Sequence, residues 1–307
     1  MTVCAKANSK YSMLLCLLML CMAGTGFAQQ QRLYNYNQYA DNLTGVNAAY
    51  SLLDKASSVS VLGSRQLVGI EGAPRSFMLN ANFPLVSSDA AMGFYVMNEK
   101  IAVENQTAFN AFFAKAIQLT PRDFLSVAIN AGVRNYTGNY SQLDAYDPQF
   151  SADIRETKPN IGFSVMLYST NYYVGLSVPE LSIRTLGTAS ALQPNYLRSH
   201  YYFTGGFIAD VNDYLKIKPA TLILYTKDSP VVGNLSATAY LKEQLGLGAN
   251  YRTDKTAAGT LSFIGKSFRL AYSYQFGVSN RPTGTNTSVH EVGISYRFGN
   301  IANYKLL

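Results

Sequence analysis

"FRLAYSYQF", Phe268 to Phe276, is the stretch on which the fold turns. Phe268, Leu270, Tyr272, Tyr274 and Phe276 alternate with Arg269, Ala271, Ser273 and Gln275. An extended chain therefore carries bulky apolar and aromatic groups on one face and small or polar groups on the other. Nine such residues are enough for a strand that crosses a bilayer at a tilt. The pattern returns near the C-terminus in "EVGISYRF", where Val292, Ile294, Tyr296 and Phe298 oppose Glu291, Gly293, Ser295 and Arg297.

Working outward, comparable runs lie near 57–65, 76–84, 90–97, 107–116, 123–134, 160–168, 171–178, 201–211, 214–225, 234–242, 244–252, 259–265, 268–276 and 289–298, about fourteen strands in all. Tight turn signals join some of them, at 86–89, 169–171, 211–213 and 265–266, and longer polar loops join others, at 135–160, 180–200 and 277–288. Long loops on one side of a membrane and short turns on the other give this rhythm. A β-sandwich would also supply many alternating strands. Long strands, a second face of Ser, Thr, Gly, Ala and Asn rather than Lys or Glu, and aromatic strand ends such as Tyr172, Tyr173, Tyr201 and Tyr202 favour a transmembrane antiparallel β-barrel with a lightly charged lumen. No stretch after Ala28 is long and apolar enough for a membrane-spanning helix.

Ahead of the strands, Met1 to Ala28 has the organisation of a secretory signal: Lys6 and Lys10, then "MLLCLLMLCMAG", then small residues at Gly26 and Ala28. The expected organisation is a cleaved signal peptide over 1–28, a periplasmic or plug-like segment over 29–56, the barrel over 57–298 and a short tail over 299–307. Cys4, Cys16 and Cys21 all fall inside the signal, so the mature chain has no disulfide, thiolate metal site or cysteine nucleophile. The formal charge of +7 becomes +5 once Lys6 and Lys10 are removed, and reads either as scattered lysines or as attraction to an acidic partner or anionic lipid. An exported chain without a basic cluster is not expected to bind nucleic acid.

Little in the chain points to catalysis or a cofactor. His200 and His290 are the only histidines, in no metal-ligand spacing, and no GxSxG elbow is present. A lumen-built hydrolase using His290 and Glu291 with a nearby serine is the one enzymatic constellation left open. A calcium-binding loop among the carboxylates of 144–156 is the one metal reading, against a merely solvated loop.

"RQLVGIEGAPRSF", Arg65 to Phe77, lacks both phosphate-loop spacings and is followed by another alternating strand rather than a helix, so it reads as a connection between strands. Gly69 and Gly72 permit positive φ, and Pro74 sets the entry to the next strand. Here the chain resembles the PorP/SprF family of outer-membrane proteins of the type IX secretion and gliding-motility apparatus. The resemblance rests on "VNAAY", with Asn47, Ala49 and Tyr50, and on Arg65, Gln66, Gly69, Gly72, Ala73 and Pro74. Ala48 stands where the family often has proline, and Leu67 where it commonly has tryptophan.

The resemblance implies a non-catalytic outer-membrane barrel, without cofactor or metal, that supports export and surface attachment of adhesins and other cargo bearing type IX C-terminal domains. It further implies partners among the periplasmic ring, the motor and the outer-membrane translocon, besides outer-membrane lipid. The rival readings are a channel or FadL-like uptake barrel for small or hydrophobic molecules, and an outer-membrane enzyme.

Overall fold

The computed structural model describes residues 36–143, 152–182, 198–227, 229–278, 288–299 and 306. The expected signal peptide, most of the tail and parts of the three long loops lie outside the described residues. The strands are β1 Ser57–Gln66, β2 Arg75–Leu85, β3 Ala90–Ile101, β4 Glu104–Gln118, β5 Phe124–Gly138, β6 Ile154–Tyr168, β7 Tyr172–Ser182, β8 His200–Phe207, β9 Ala209–Asn212, β10 Leu215–Thr226, β11 Val232–Leu241, β12 Leu245–Arg252, β13 Thr256–Ile264, β14 Phe268–Gly277 and β15 Val289–Phe298.

Except for β8 and β9, each strand pairs antiparallel with its sequence neighbours, and β1 also pairs with β15, Ser57 opposite Phe298 through Gln66 opposite Val289. β8 and β9 are two pieces of one stave, interrupted at Ile208 and both paired with β10. The result is a closed barrel of fourteen staves, which leaves no unpaired sheet edge to be satisfied in lipid. The loops at 135–160, 180–200 and 277–288 all leave from one end, and the turns at 86–89, 169–171, 211–213 and 265–266 all lie at the other. Tight turns also occur at the loop end, at Ala102–Val103 and 253–255.

Alternation runs in the direction that a membrane demands. Phe268, Leu270, Tyr272, Tyr274 and Phe276 are 41% to 49% exposed on the outside, whereas Arg269, Ala271, Ser273 and Gln275 are no more than 7% exposed inside. A soluble sandwich would bury the first set and wet the second. The same inversion holds for Val292, Ile294 and Tyr296 against Glu291 and Arg297. An apolar belt of Phe109, Phe113, Ile129, Phe163, Leu176, Leu247, Leu261 and Phe263 continues it around the wall.

Candidate functional site: a lumen filled by the N-terminal segment

Residues 36–56, "YNQYADNLTGVNAAYSLLDKA", lie inside the barrel, almost all of them buried. The composition explains the conformation. Asn, Gln and Tyr compete with regular helix by bonding to nearby backbone, so the segment forms only two short 3₁₀ turns, Tyr39–Asp41 and Ala48–Leu52. Its remaining donors and acceptors go to the wall. Asn37 gives its backbone N–H to both Glu291 carboxylate oxygens, at 3.1 and 2.9 Å, and its Nδ2 to Oε1 at 2.9 Å. The Tyr39 hydroxyl donates to the Ala220 carbonyl at 2.9 Å. Asn80 on β2 donates to the Asn42 side chain, and Asn82 to the Ser51 carbonyl.

Asp41 is the charged centre of this segment. It accepts from Tyr240 at 3.0 Å, pairs with Arg269 on β14 and stands 3.7 Å from the Lys218 ammonium on β10. Burial pushes the Asp41 carboxyl up, but Arg269 and Lys218 outweigh it and hold the group below the usual carboxylate range. Lys218 also donates to the carbonyls of Ala40, at 2.6 Å, and Leu306, at 2.5 Å, so the C-terminal tail meets the segment at the same ammonium. Lower down, Arg297 holds Asp54 through Nε and Nη2, each at 2.7 Å.

The residues of "VNAAY" are brought together here. Asn47 caps the second 3₁₀ turn by accepting from the Ala49 N–H at 3.1 Å, and its Nδ2 reaches the Val165 and Leu176 carbonyls of β6 and β7. Ala49 donates to Ser164, and Ser126 donates to the Ala49 carbonyl. Tyr50 meets Tyr173 edge to face at 5.9 Å. Gly175 makes the approach possible, because a Cβ there would come within 2.7 Å of the Asn47 amide; Gly293 does the same for Gln38, at 2.3 Å. Leu43, Val46 and Ala49 complete the packing in one apolar cluster with Met78, Tyr95, Met97, Phe112, Met166, Tyr202 and Leu222.

The second motif lies apart from the first, at the loop end. Arg65 and Gln66 finish β1; the Gln66 N–H bonds to the Pro74 carbonyl and the Ala102 N–H to the Gly72 carbonyl. Gly69 and Gly72 have φ of 98° and 72°, as a connection of this shape requires, and the Ala73 N–H bonds back to Ile70. Leu67 is half-buried rather than a core residue, and it too is left-handed, at φ 47°.

Other lumen groups escape a sequence reading. The lightly charged lumen expected from the side-chain alternation in fact buries Arg134, Glu180, Lys218, Arg269, Glu291 and Arg297. Glu180, at the start of the expected 180–200 loop, belongs to β7; the register shift between β6 and β7 turns it inward to pair with Arg134 of β5. Asn110 donates to Glu180 at 3.1 Å, and Asn130 to the Pro179 carbonyl at 2.7 Å. His290 and Glu291 face opposite sides of the wall. Glu291 is bound by Asn37, while His290 stands outside beside Tyr272 and Tyr274, so the hydrolase constellation does not assemble. Of the carboxylates in 144–156, those of 144–151 lie outside the described residues; Asp153 accepts from Ser141, Glu156 from Lys158, and no metal-ligating group of three occurs among the described residues.

What this arrangement does is close the barrel. A water-filled pore would wet the polar wall, yet Asn110, Ser126, Thr204 and Ser273 are 0% exposed, and Lys218 1%. A cavity of about 170 Å³ opens instead at the turn end, between Leu52, Asp54 and Lys55 of the segment and Val86, Arg122, Tyr168 and Thr170 of the rim.

The family description "Type IX secretion system membrane protein PorP/SprF" matches residues 28–296, nearly the whole chain. The chain belongs to the PorP/SprF family. With its lipid-facing belt and closed sheet, this PorP/SprF protein is a multi-pass β-barrel of the outer membrane. It is similar to the Acinetobacter baumannii outer membrane protein Omp33 at 8% identity, covering 80% of this chain and 99% of that one, with a TM-score of 0.46. It is also similar to the Pseudomonas putida toluene transporter TodX, at 11% identity, 90% and 96% coverage and a TM-score of 0.46. A Pseudomonas aeruginosa FadL homologue gives 11% identity, 86% and 95% coverage and the same score. No curated protein sequence matches the chain.

Proposed function

We propose that this PorP/SprF protein is a non-catalytic component of the type IX secretion system that supports export and surface attachment of cargo, such as adhesins, by serving as a docking platform. The observation that carries the reading is the filled lumen. A barrel whose axis is laced to its own N-terminal segment offers partners its two ends and its outer wall, not a conduit. Cargo C-terminal domains engage the loop end, through the 135–160 and 180–200 loops with their Tyr, Asn and Arg side chains. The periplasmic ring, the motor and the translocon meet the protein at the turn end or along its flanks.

The test pairs two measurements on the folded, purified protein. Retention of a type IX cargo C-terminal domain, with no pore conductance in planar bilayers, is the expected result. Steady pore conductance without cargo retention would overturn this reading in favour of an uptake barrel, and release of fatty acid or peptide would overturn it in favour of an enzyme. Deleting either long loop while the barrel still assembles is expected to abolish adhesin display.

A further inference from the structure

The outer wall carries, at the loop end, a feature that neither the filled lumen nor the loops explain. Arg65 on β1 lies directly opposite Arg75 on β2, and Arg75 directly opposite Lys100 on β3. All three are exposed, and all three alternate with inward-facing neighbours (Ser64, Ser76 and Glu99), so they project outward together. Directly opposed strand residues have Cβ atoms only about 5 Å apart, a spacing at which like charges destabilise a sheet. None of the three forms a salt bridge among the described residues; Glu71 is exposed in the connecting loop, and Glu99, next to Lys100, faces the lumen. The row continues into hydrogen-bonding groups without a carboxylate, through His290 on one side and Asn105 on the other.

Position identifies what this row meets. Just below it the wall becomes lipid-facing, with Phe77 and Phe109 exposed, so the cations stand at the height of lipid headgroups in the leaflet on the loop side. On β8, β10 and β12 the same rim is different in kind. There the outward positions nearest the loop end are Tyr201, Tyr225 and Tyr251, 45% to 50% exposed, which suit an interface without needing a counter-ion. Three in-register cations on one arc match a headgroup bearing more than one phosphate, because each phosphate oxygen can accept a charge-assisted hydrogen bond and relieve the repulsion along the row.

We infer that Arg65, Arg75 and Lys100 form a binding site for the phosphorylated headgroup of an outer-leaflet glycolipid of the lipid A type. The test titrates bisphosphorylated lipid A, and the same lipid after enzymatic dephosphorylation, onto the folded full-length protein in detergent, with binding read by native mass spectrometry. The triple variant Arg65→Gln, Arg75→Gln, Lys100→Gln is expected to weaken binding of the phosphorylated lipid at least about tenfold, the loss of one strong charge-assisted contact. Arg75→Gln alone is expected to weaken it less. Lys115→Gln, on the outer wall at the turn end, is expected to leave it unchanged. Heat-modifiable migration on gels confirms that each variant is folded. Equal affinity for the dephosphorylated lipid, equal affinity in the triple variant, or loss of cargo-domain retention with lipid binding intact would each overturn the assignment. Displacement of the lipid by millimolar inorganic phosphate alone would do so too, since it would mark a site for free phosphate.

Discussion

Lys218, Arg269, Arg297 and Glu291 are answered by the N-terminal segment, whereas Arg134 is answered by Glu180 of the wall itself. Both sets are buried charges in one lumen, yet they depend on different parts of the chain. Where wall meets wall, between β5 and β7, the charge balance is complete once the barrel has closed. Where wall meets segment, the closed barrel is still short of partners, and the segment supplies Asp41, Asp54 and the Asn37 N–H. The barrel wall and its filling are thus separable in principle, and variants can show which of the two each contact serves.

The largest effect is expected on the wall side. Glu180→Ala leaves Arg134 in the lumen without its carboxylate and is expected to destabilise the barrel by about 3–5 kcal/mol, since one partner of a buried pair has been removed. Replacing both, as Arg134→Met with Glu180→Met, is expected to recover most of that loss. The readout is denaturant unfolding in detergent followed by tyrosine fluorescence, because the chain has 23 Tyr and no Trp. A double variant as unstable as the single one would show that the pair holds β7 in its bulged register and does more than balance charge.

Asp41→Asn should act on the other side of the comparison. Arg269 and Lys218 lose their shared carboxylate, at a cost of about 2–3 kcal/mol, and the loss is expected to free the segment while the barrel remains folded. Limited proteolysis within 36–56 should accelerate without a change in heat-modifiable migration. The acid response follows from the depressed carboxyl. A group whose folded pKa lies below its unfolded value contributes stability that is fully present above the unfolded value, ordinarily near 4, and is lost as pH falls through the folded one. In the wild type, the share of the segment's protection that Asp41 supplies should therefore survive from neutral pH down to the ordinary carboxylate range and fail only below it. Asp41→Asn should remove that share, leaving only the acid response of the Asp54 and Glu291 contacts.

A smaller effect separates fit from charge. Gly175→Ala pushes a methyl group toward the Asn47 amide, and Asn47→Ala removes a cap and two hydrogen bonds. Each is expected to loosen the segment by about 1–2 kcal/mol. Together they should cost less than their sum, because the second change removes the atom that the first collides with. Hydrogen exchange at Ala49 and Tyr50 reads both changes, and strict additivity would mean that Gly175 serves the wall alone.

These contacts also mark how far the sequence could be read. The belt was legible because side-chain alternation is a local property: "FRLAYSYQF" shows its lipid face without reference to any other strand. The closing of the sheet was legible from the count and rhythm of such runs. The lumen was not, because its partners are far apart in the chain. Asn37 and Glu291 are 254 residues apart, and although alternation puts Glu291 on the lumen face, nothing local to it points to Asn37 as its partner. Glu180 was lost for a different reason, since a bulge breaks the alternation by which inward residues are recognised and makes the end of β7 resemble the start of a loop. "VNAAY" carried a family resemblance but not its own explanation, which needed the carbonyls of β6 and β7 that Asn47 reaches.

The smallest expected effect is at Leu67, in the loop-end connection that neither the wall nor the segment holds from within. Its φ of 47° is a conformation that costs an L-residue with a side chain about 1–2 kcal/mol, while glycine adopts it freely. Glycine also gives the unfolded chain more freedom, at a cost of about 0.5–1 kcal/mol, so Leu67→Gly should stabilise the barrel by a few tenths to about 1 kcal/mol. The backbone bond from the Leu67 N–H to the Ser288 carbonyl is kept in the variant, and the half-buried side chain has little burial to lose. A measured loss of stability would mean that the leucine packs the rim in a way that repays its strain, and Leu67→Trp would then be the substitution to compare with it. A gain would mean that the position is set by the turn of the backbone, so that the residue can change between relatives without altering how the loop end is built.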